Sequence, residues 1–169
     1  MSDKLEIEGI LRIREIPQEW DTETFKYWWA RMTEREKERR TLWEGKNLIT
    51  NQGRNLILGY LLVSASASPF SLYFSVGTGT IYVVQPSDTT IASELARTAV
   101  ASINIVGNTA TSSSTFNTGQ ANGTWTNAGM WGVGASGTLG SGQLSSHLLC
   151  NFTKTSATAI TCDYSITLM

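Results

Sequence analysis

The sequence predicts a mainly β protein: an antiparallel β-sandwich or jelly-roll-like body preceded by an N-terminal arm of one strand and one helix. Three observations lead there. From Pro69 onward, short runs rich in β-branched and aromatic residues are separated by Gly, Asn, Ser and Pro at intervals of about 8–12 residues, the spacing of an all-β sandwich or barrel. No long helical pattern interrupts that region to connect parallel strands. Charge is segregated: residues 1–60 hold 11 of the 13 Lys+Arg and 11 of the 14 Asp+Glu, and the rest of the chain holds only Asp88, Glu94, Arg97, Lys154 and Asp163. This split divides the chain into a charged N-terminal arm, residues 1–44, and a body of Ser, Thr, Gly, Ala and Asn, residues 45–169, with the boundary near Gly45.

In "LEIEGILRIREI" the positions Leu5, Ile7, Leu11 and Ile13 are apolar and Glu6, Glu8, Arg12 and Arg14 are charged. Period two predicts a half-buried strand, kinked at Gly9 and ended by Pro17. "DTETFKYWWARMTEREKERRTLWEG" then predicts a helix capped by Asp21 or Thr22 and stopped at Gly45. Phe25, Trp28, Trp29 and Met32 recur at i, i+3, i+4 and i+7, on one face. Such a narrow aromatic stripe needs a surface to cover, on its own domain or on a partner subunit. The partner-binding candidates of the arm are Leu11, Ile13, Trp20, Phe25, Trp28, Trp29, Met32 and Trp43. "EREKERR" interleaves its cations with glutamates, which suits a solvated helix face better than a nucleic-acid patch.

"GKNLITNQGRNLILGYLLVSASASP" reads as a turn, a short strand, an amphipathic helix and a flexible exit. Strand-like runs follow: "FSLYFSVG", "TIYVV", "TAVASINIVG", "TATSSSTFNT", "GTWTNAGMWGV", "SSHLLCNFTK" and "AITCDYSITLM". In the last two, Leu148, Cys150 and Phe152 share one face, as do Ile160, Cys162, Tyr164, Ile166 and Leu168. A hairpin turning near Lys154–Ala157 sets Cys150 opposite Cys162, with Cα atoms about 4.5–5.5 Å apart, where a cross-strand disulfide is sterically possible. Synthesis in a reducing compartment favours two buried thiols instead.

The formal net charge of −1 gives no pull toward nucleic acid or an anionic membrane. No run approaches the roughly 18 apolar residues of a membrane span. "MSDKLEIEGI" lacks the apolar core of a secretory signal, so synthesis in a cytoplasm is expected. Neither a nucleic acid nor a membrane is expected as partner.

The "GTGT" at residues 77–80 invites a phosphate-loop reading, which its spacing rejects. A dinucleotide fingerprint needs a third glycine three residues after the second, and Tyr82 stands there. A Walker loop needs a lysine, and none is near. His147 is the single histidine, no nucleophile elbow accompanies it, and one His with two Cys twelve apart is no zinc set. No catalytic residue, metal or cofactor is expected, and the chain is not read as an enzyme.

Five blocks in order carry a family resemblance: "GKNLITNQGRNLIL", "YFSVGTGT", "PSDTTIASELAR", "ANGTWTNAGMWG" and "LLCNFTKTSATAITCDYSITLM". Asn47, Thr50, Gly53, Arg54 and Asn55 fit the opening pattern; Gly77 and Gly79 fit its strand end. Asp88, Thr89, Ile91, Glu94 and Arg97 fit a turn-and-helix pattern. Ala121, Gly123, Thr124, Gly129, Phe152, Lys154 and Thr155 fit the closing strands. Over about three quarters of its length the chain resembles a family of small tailed-bacteriophage virion proteins, tail-fibre-like or capsid-decoration-like. It departs from the pattern where "IYVV" lengthens the link after Gly79 and where Asn127 replaces a common acidic residue.

The resemblance implies a non-enzymatic virion component that decorates or reinforces a capsid or tail. Its partners would be capsid or tail proteins and further copies of itself, as a trimer. Within the matched turn, Asp88 is expected to cap a short helix, with Ile91 and Leu95 inward and Glu94 reaching Arg97 at i, i+3. Gly77, Gly79, Asp88, Glu94 and Arg97 would form a structural corner. The alternative is a tail-associated receptor- or carbohydrate-binding module that stacks sugars on Tyr82, Trp125 and Trp131.

Overall fold

The alternating pattern near the N-terminus does form a strand. The computed structural model of the chain describes residues 7–16, 24, 27–28, 31–55, 57, 72–80 and 83–169. Strand β1 (Ile7–Ile16) buries Leu11 and Ile13 completely and turns Glu8 and Arg12 to the opposite face. Next, Thr33 builds a capping box: its hydroxyl accepts from the Glu36 amide at 3.3 Å, and its own amide donates to the Glu36 carboxylate at 2.7 Å. This box starts α1 (Glu34–Glu38), which buries no residue and pairs Lys37 with Glu34. Strand β2 (Thr41–Ile49) follows at once.

The remaining strands are β3 (Tyr73–Gly77), β4 (Glu94–Ala99), β5 (Ser102–Val106), β6 (Thr109–Phe116), β7 (Gly123–Trp131), β8 (Leu144–Lys154) and β9 (Ala159–Leu168). Among the described residues every pairing is antiparallel, and the nine strands form one curled sheet in the order β4-β3-β7-β8-β2-β1-β9-β6-β5. β2 joins the two halves. Its residues 41–47 pair with β1, and Leu48 and Ile49 pair with β8. Curling brings the two ends of the sheet together. β4 and β5 are terminal strands yet consecutive in sequence, joined by Val100 and Ala101, whose amides donate to Leu72 and Ser113 at 2.9 and 2.8 Å.

The inner surface of the curl holds the main core. Leu11, Ile13, Phe74, Val76, Phe116, Trp125, Ala128, Met130, Leu148, Cys150, Ile160, Cys162 and Tyr164 pack there as one cluster. Phe116 and Phe152 lie 5.5 and 5.2 Å from the Trp125 ring, centroid to centroid. The Trp125 indole N–H is satisfied by the Ala121 carbonyl at 2.7 Å. Gly9 and Gly45 make room on this inner surface. A Cβ on Gly9 would lie 1.7 Å from the Asn47 Oδ1, and one on Gly45 would lie 2.2 Å from the Trp43 ring.

Three sequence expectations are corrected here. The predicted helix does not run to Gly45. Among the described residues, Thr24, Tyr27 and Trp28 are helical, the chain breaks at 31–33, and Thr33 caps a second, short helix. Leu42, Trp43 and Gly45 lie in a strand because period two resumes at Thr41.

The division at residues 44 and 45 falls inside β2, and β1 sits between β2 and β9 in the middle of the sheet. The charged N-terminal residues of these strands are therefore the outer face of the fold, paired across strands as Arg12–Glu44 (2.6 Å) and Glu8–Lys46 (2.5 Å).

Finally, β8 and β9 are joined by a tight turn but are not neighbours in the sheet. Cys150 on β8 and Cys162 on β9 both lie in the main core, and Cys162 pairs with Ile13 and Ser114, so the cysteines are not a cross-strand pair. Both are buried free thiols.

Candidate functional site

The second face of the β4-β3-β7-β8 half is covered by two loops, residues 83–93 and 132–143, over a smaller core of Ile91, Trp131, Ala135 and Leu144. The residues matched to the expected corner are the fasteners of this layer. Gly77 closes β3, and both glycines serve close approach. A Cβ on Gly77 would sit 2.3 Å from the Ala92 carbonyl oxygen, and one on Gly79 would sit 2.6 Å from the Ala92 Cβ. With no side chains in the way, the chain beyond β3 runs against residues 92–93. The Thr78 and Gly79 amides donate to the Ser93 and Ala92 carbonyls at 3.1 and 3.0 Å. Ser93 itself holds φ at 47°, a left-handed conformation uncommon for a non-glycine residue.

Asn127 is the hub of this seam. It is fully buried. Its Oδ1 accepts from the Ala92 amide at 3.1 Å while its Nδ2 donates to the Ala92 carbonyl at 3.2 Å, so the side chain reads the Ala92 backbone as another strand would. Nδ2 also approaches the Gly79 carbonyl at 3.4 Å, and the neighbouring Thr126 hydroxyl donates there at 2.6 Å. A carboxylate could not donate to these oxygens. An aspartate at this position would therefore lose both donated bonds.

Asp88 does not cap a helix. Residues 89–93 hold a bend at Thr90 and a turn at 92–93 but no helix, and β4 begins at Glu94. The Asp88 carboxylate instead accepts the Gln85 amide at 2.9 Å across the Pro86–Ser87 turn and meets His147 Nδ1 at 2.6 Å. His147 projects from β8 and is buried, so the pair ties the loop to the sheet. The Pro86 carbonyl in the same turn accepts the Asn51 amide at 2.7 Å. Thr50 caps the helical residues 51–55, with its hydroxyl accepting the Gly53 amide at 3.1 Å and donating to the Leu144 carbonyl.

Glu94 and Arg97 meet as expected, but on a strand. An ordinary strand turns i and i+3 to opposite faces. Here Val76 opposes Ala96 and Gly77 opposes Glu94, which leaves Leu95 as a bulge and restores the two side chains to one face. The pair is bidentate, at 2.6 and 2.8 Å, with side chains 8% and 0% exposed. Arg97 also donates to the Ser136 and Ser141 carbonyls at 3.2 and 2.9 Å and lies over the Trp131 ring at 4.5 Å. Glu94 accepts the Gly140 amide at 2.6 Å. The two residues hold the 132–143 loop against the sheet.

The other charges of this region are fasteners too. Lys154 is buried and donates to Asn122 Oδ1 at 2.9 Å and to the Thr118 and Thr155 carbonyls. Loss of hydration lowers its pKa. Asp163 is bound by Arg14 and Ser113. Burial raises its pKa, against the opposing pull of those two partners. Burial likewise pushes the Cys150 thiol up to about 12 and the Cys162 thiol well above its ordinary value.

The partner-binding candidates scatter. Leu11 and Ile13 are fully buried core residues and offer nothing to a partner, because β1 is a central strand. Trp20, Phe25 and Trp29 lie outside the described residues. Trp43 packs partly buried against the main core, and Met32 is half-buried. Trp28 is 49% exposed beside the 53% exposed Tyr27, their rings edge to face at 5.5 Å, with the Arg31 guanidinium 3.6 Å over the Tyr27 ring.

The sugar-stacking candidates are also corrected. Trp125 and Trp131 are buried, and the Trp131 indole N–H is held by Ser75. Tyr82 lies outside the described residues. Among the described residues no group of three or more His, Cys, Asp and Glu is placed to hold a metal, and no helix is long and apolar enough to cross a membrane. Comparison with protein-family models, with curated proteins and with solved structures returned no match.

Two fasteners lay beyond sequence reasoning. His147 was readable only as a lone histidine, since its partner is 59 residues away. Asn127 stands out only in the resemblance, as an amide where that pattern has an acid, and its partner is 35 residues away.

Proposed function

We propose that the chain is a non-enzymatic structural component of a tailed-phage virion, decorating or reinforcing the capsid or tail. One observation supports this beyond the motif resemblance. All five charged residues after position 60 are committed to holding loops and strands: Asp88 to His147, Glu94 to Arg97, Lys154 to the 118–122 turn, and Asp163 to Arg14. A framework fastened in this way suits a protein that must keep its shape on a particle. The curled sheet reads as a β-sandwich whose halves, β4-β3-β7-β8 and β1-β9-β6-β5, face each other across the core, with β2 spanning the corner. Attachment moves from the strand to the aromatic surface. Tyr27, Trp28 and Arg31 are the residue types that dominate binding hot spots, and Leu42 lies exposed later in the same region.

The test is incorporation. In particles purified through a density gradient, the unmodified chain is expected by mass spectrometry and immunogold labelling. A Tyr27→Ala/Trp28→Ala variant that is folded by circular dichroism is expected to be depleted. Absence of the unmodified chain from purified particles overturns the virion reading. Full incorporation of the variant overturns the attachment surface alone.

A further inference from the structure

Among the described residues the curled sheet has two edges, and they differ. β4 carries a bulge at Leu95 and two charged residues, devices that keep sheet edges from pairing with other chains. β5 carries none of them. Its sequence, SINIV, has no charge and no proline, and its pairing with β6 runs without a register shift. All five residues are exposed, Ile103 by 56%, Ile105 by 71% and Val106 by 69%. No Asp, Glu, Lys or Arg occurs from Thr98 to Thr153, so neither β5 nor β6 supplies a repelling charge.

The hairpin fixes which backbone groups are free. Gly107 and Asn108 form a two-residue turn, with Gly107 at φ +59° as a type II′ turn requires. Residues flanking such a turn exchange both backbone hydrogen bonds, and the antiparallel ladder then alternates. Val106, Asn104 and Ser102 therefore bond to β6. The N–H and C=O of Ile103 and Ile105 point away from it, where no described strand meets them.

We propose that β5 pairs with β5 of a second copy of this chain, antiparallel about a two-fold axis through Asn104. The strand is self-complementary in that register. Ile103 falls opposite Ile105 of the second copy, the outward groups exchange four hydrogen bonds, and four isoleucine side chains gather on one face. An uncharged edge also fits another uncharged edge. A charged one would have to give up hydration against the isoleucines. Because a two-fold contact closes on itself, the product is a dimer and not the trimer that the family resemblance implies. The pairing follows from the strand itself and does not depend on the virion reading.

The test uses the full-length chain. At the dyad, a non-hydrogen-bonded pair brings two Cα atoms to about 4.5 Å, within disulfide range. The native thiols are buried. Under mild oxidation Asn104→Cys is expected to give a disulfide-linked dimer. Ser102→Cys is not, because the two copies of residue 102 lie about 13 Å apart along the strands. Sedimentation equilibrium of the unmodified chain is expected to fit a monomer–dimer equilibrium. Ile105→Pro removes an outward N–H and leaves the ladder to β6 intact. Ile105→Lys adds a repelling charge. Each should weaken the dimer by about tenfold or more, and the lysine variant decides the matter if the proline variant fails to fold. A strictly monomeric or trimeric unmodified chain, unchanged association of the lysine variant, or equal cross-linking at positions 102 and 104 overturns the proposal.

Discussion

Replacing Glu94 by alanine tests the central fastener. The change removes both oxygens that hold Arg97 and leaves a guanidinium with a 0% exposed side chain and no counter-charge. Its Nη1 would keep the Ser136 and Ser141 carbonyls and the Ser141 hydroxyl as partners, but these neutral groups do not neutralise it. Removing one partner of a buried ion pair costs about 3–5 kcal/mol. Unfolding entropy near 60 °C is about 2.1 cal/mol/K per residue, so about 0.35 kcal/mol/K for 169 residues. The melting temperature should therefore fall by about 8–14 °C in a calorimetric scan. Replacing both partners, as Glu94→Ala/Arg97→Met, removes the stranded charge. Its loss should be smaller than the sum of the two single losses, with a coupling of about 1–3 kcal/mol. A Glu94→Ala shift under about 2 °C, or single losses that add, would refute the reasoning that this pair is a buried and coupled unit.

Asn127→Asp puts a carboxylate against the Ala92 and Gly79 carbonyls and should cost about 3 kcal/mol or more at neutral pH. The buried acid's folded pKa would exceed its unfolded value, so stability should be higher at pH 4 and lost as pH rises through the folded pKa. Equal urea midpoints at pH 4 and 7 would contradict this. Deleting residues 1–16 removes a central strand with Leu11 and Ile13, and the remainder should show no cooperative thermal transition. A folded remainder would mean that β1 is dispensable. Cys150 and Cys162 should resist a disulfide-exchange thiol reagent at pH 8 in the native state and react as two thiols after unfolding. Fast native labelling of either, or absence of free thiols after unfolding without reductant, would oppose the buried-thiol assignment.

What was legible in the sequence follows from the range of each signal. Period-two runs gave β1, β8 and β9 with their faces, because alternation is a property of neighbouring residues. Leu148, Cys150 and Phe152 face inward as read, and so do Ile160, Cys162 and Tyr164. Strand order is a long-range property, and there local reasoning failed. The turn after Lys154 suggested a hairpin, yet β2 and β1 lie between β8 and β9 in the sheet. Spacing found the Glu94–Arg97 pair but suggested a helix, since i, i+3 is helical geometry and only a bulge at Leu95 reproduces it on a strand. The Asp88–His147 and Asn127–Ala92 contacts span 59 and 35 residues and leave no local trace.

The charge segregation that suggested an arm has a different physical meaning in the folded chain. On β1 and β2 the outer face carries cross-strand ion pairs, Arg12–Glu44 and Glu8–Lys46. On β6 and β9 the outer face carries hydroxyl pairs, Thr109–Thr167 and Thr111–Ser165, each at 2.9 Å. Covering the first surface with another protein would strip water from charges, whereas the second asks for desolvation of hydroxyls that already bond each other. The fold thus has one flank that resists burial and one that accepts it. The accepting flank ends at β5, the edge without charge, proline or bulge. Thr111→Lys, on that flank but off the edge, breaks the bond to Ser165 and should lower the melting temperature by only about 1–4 °C. It should also weaken self-association less than Ile105→Lys, because it adds charge beside the contact and not within it. A Thr111→Lys effect as large as that of Ile105→Lys in sedimentation would mean that copies meet through the hydroxyl face and not through the strand edge.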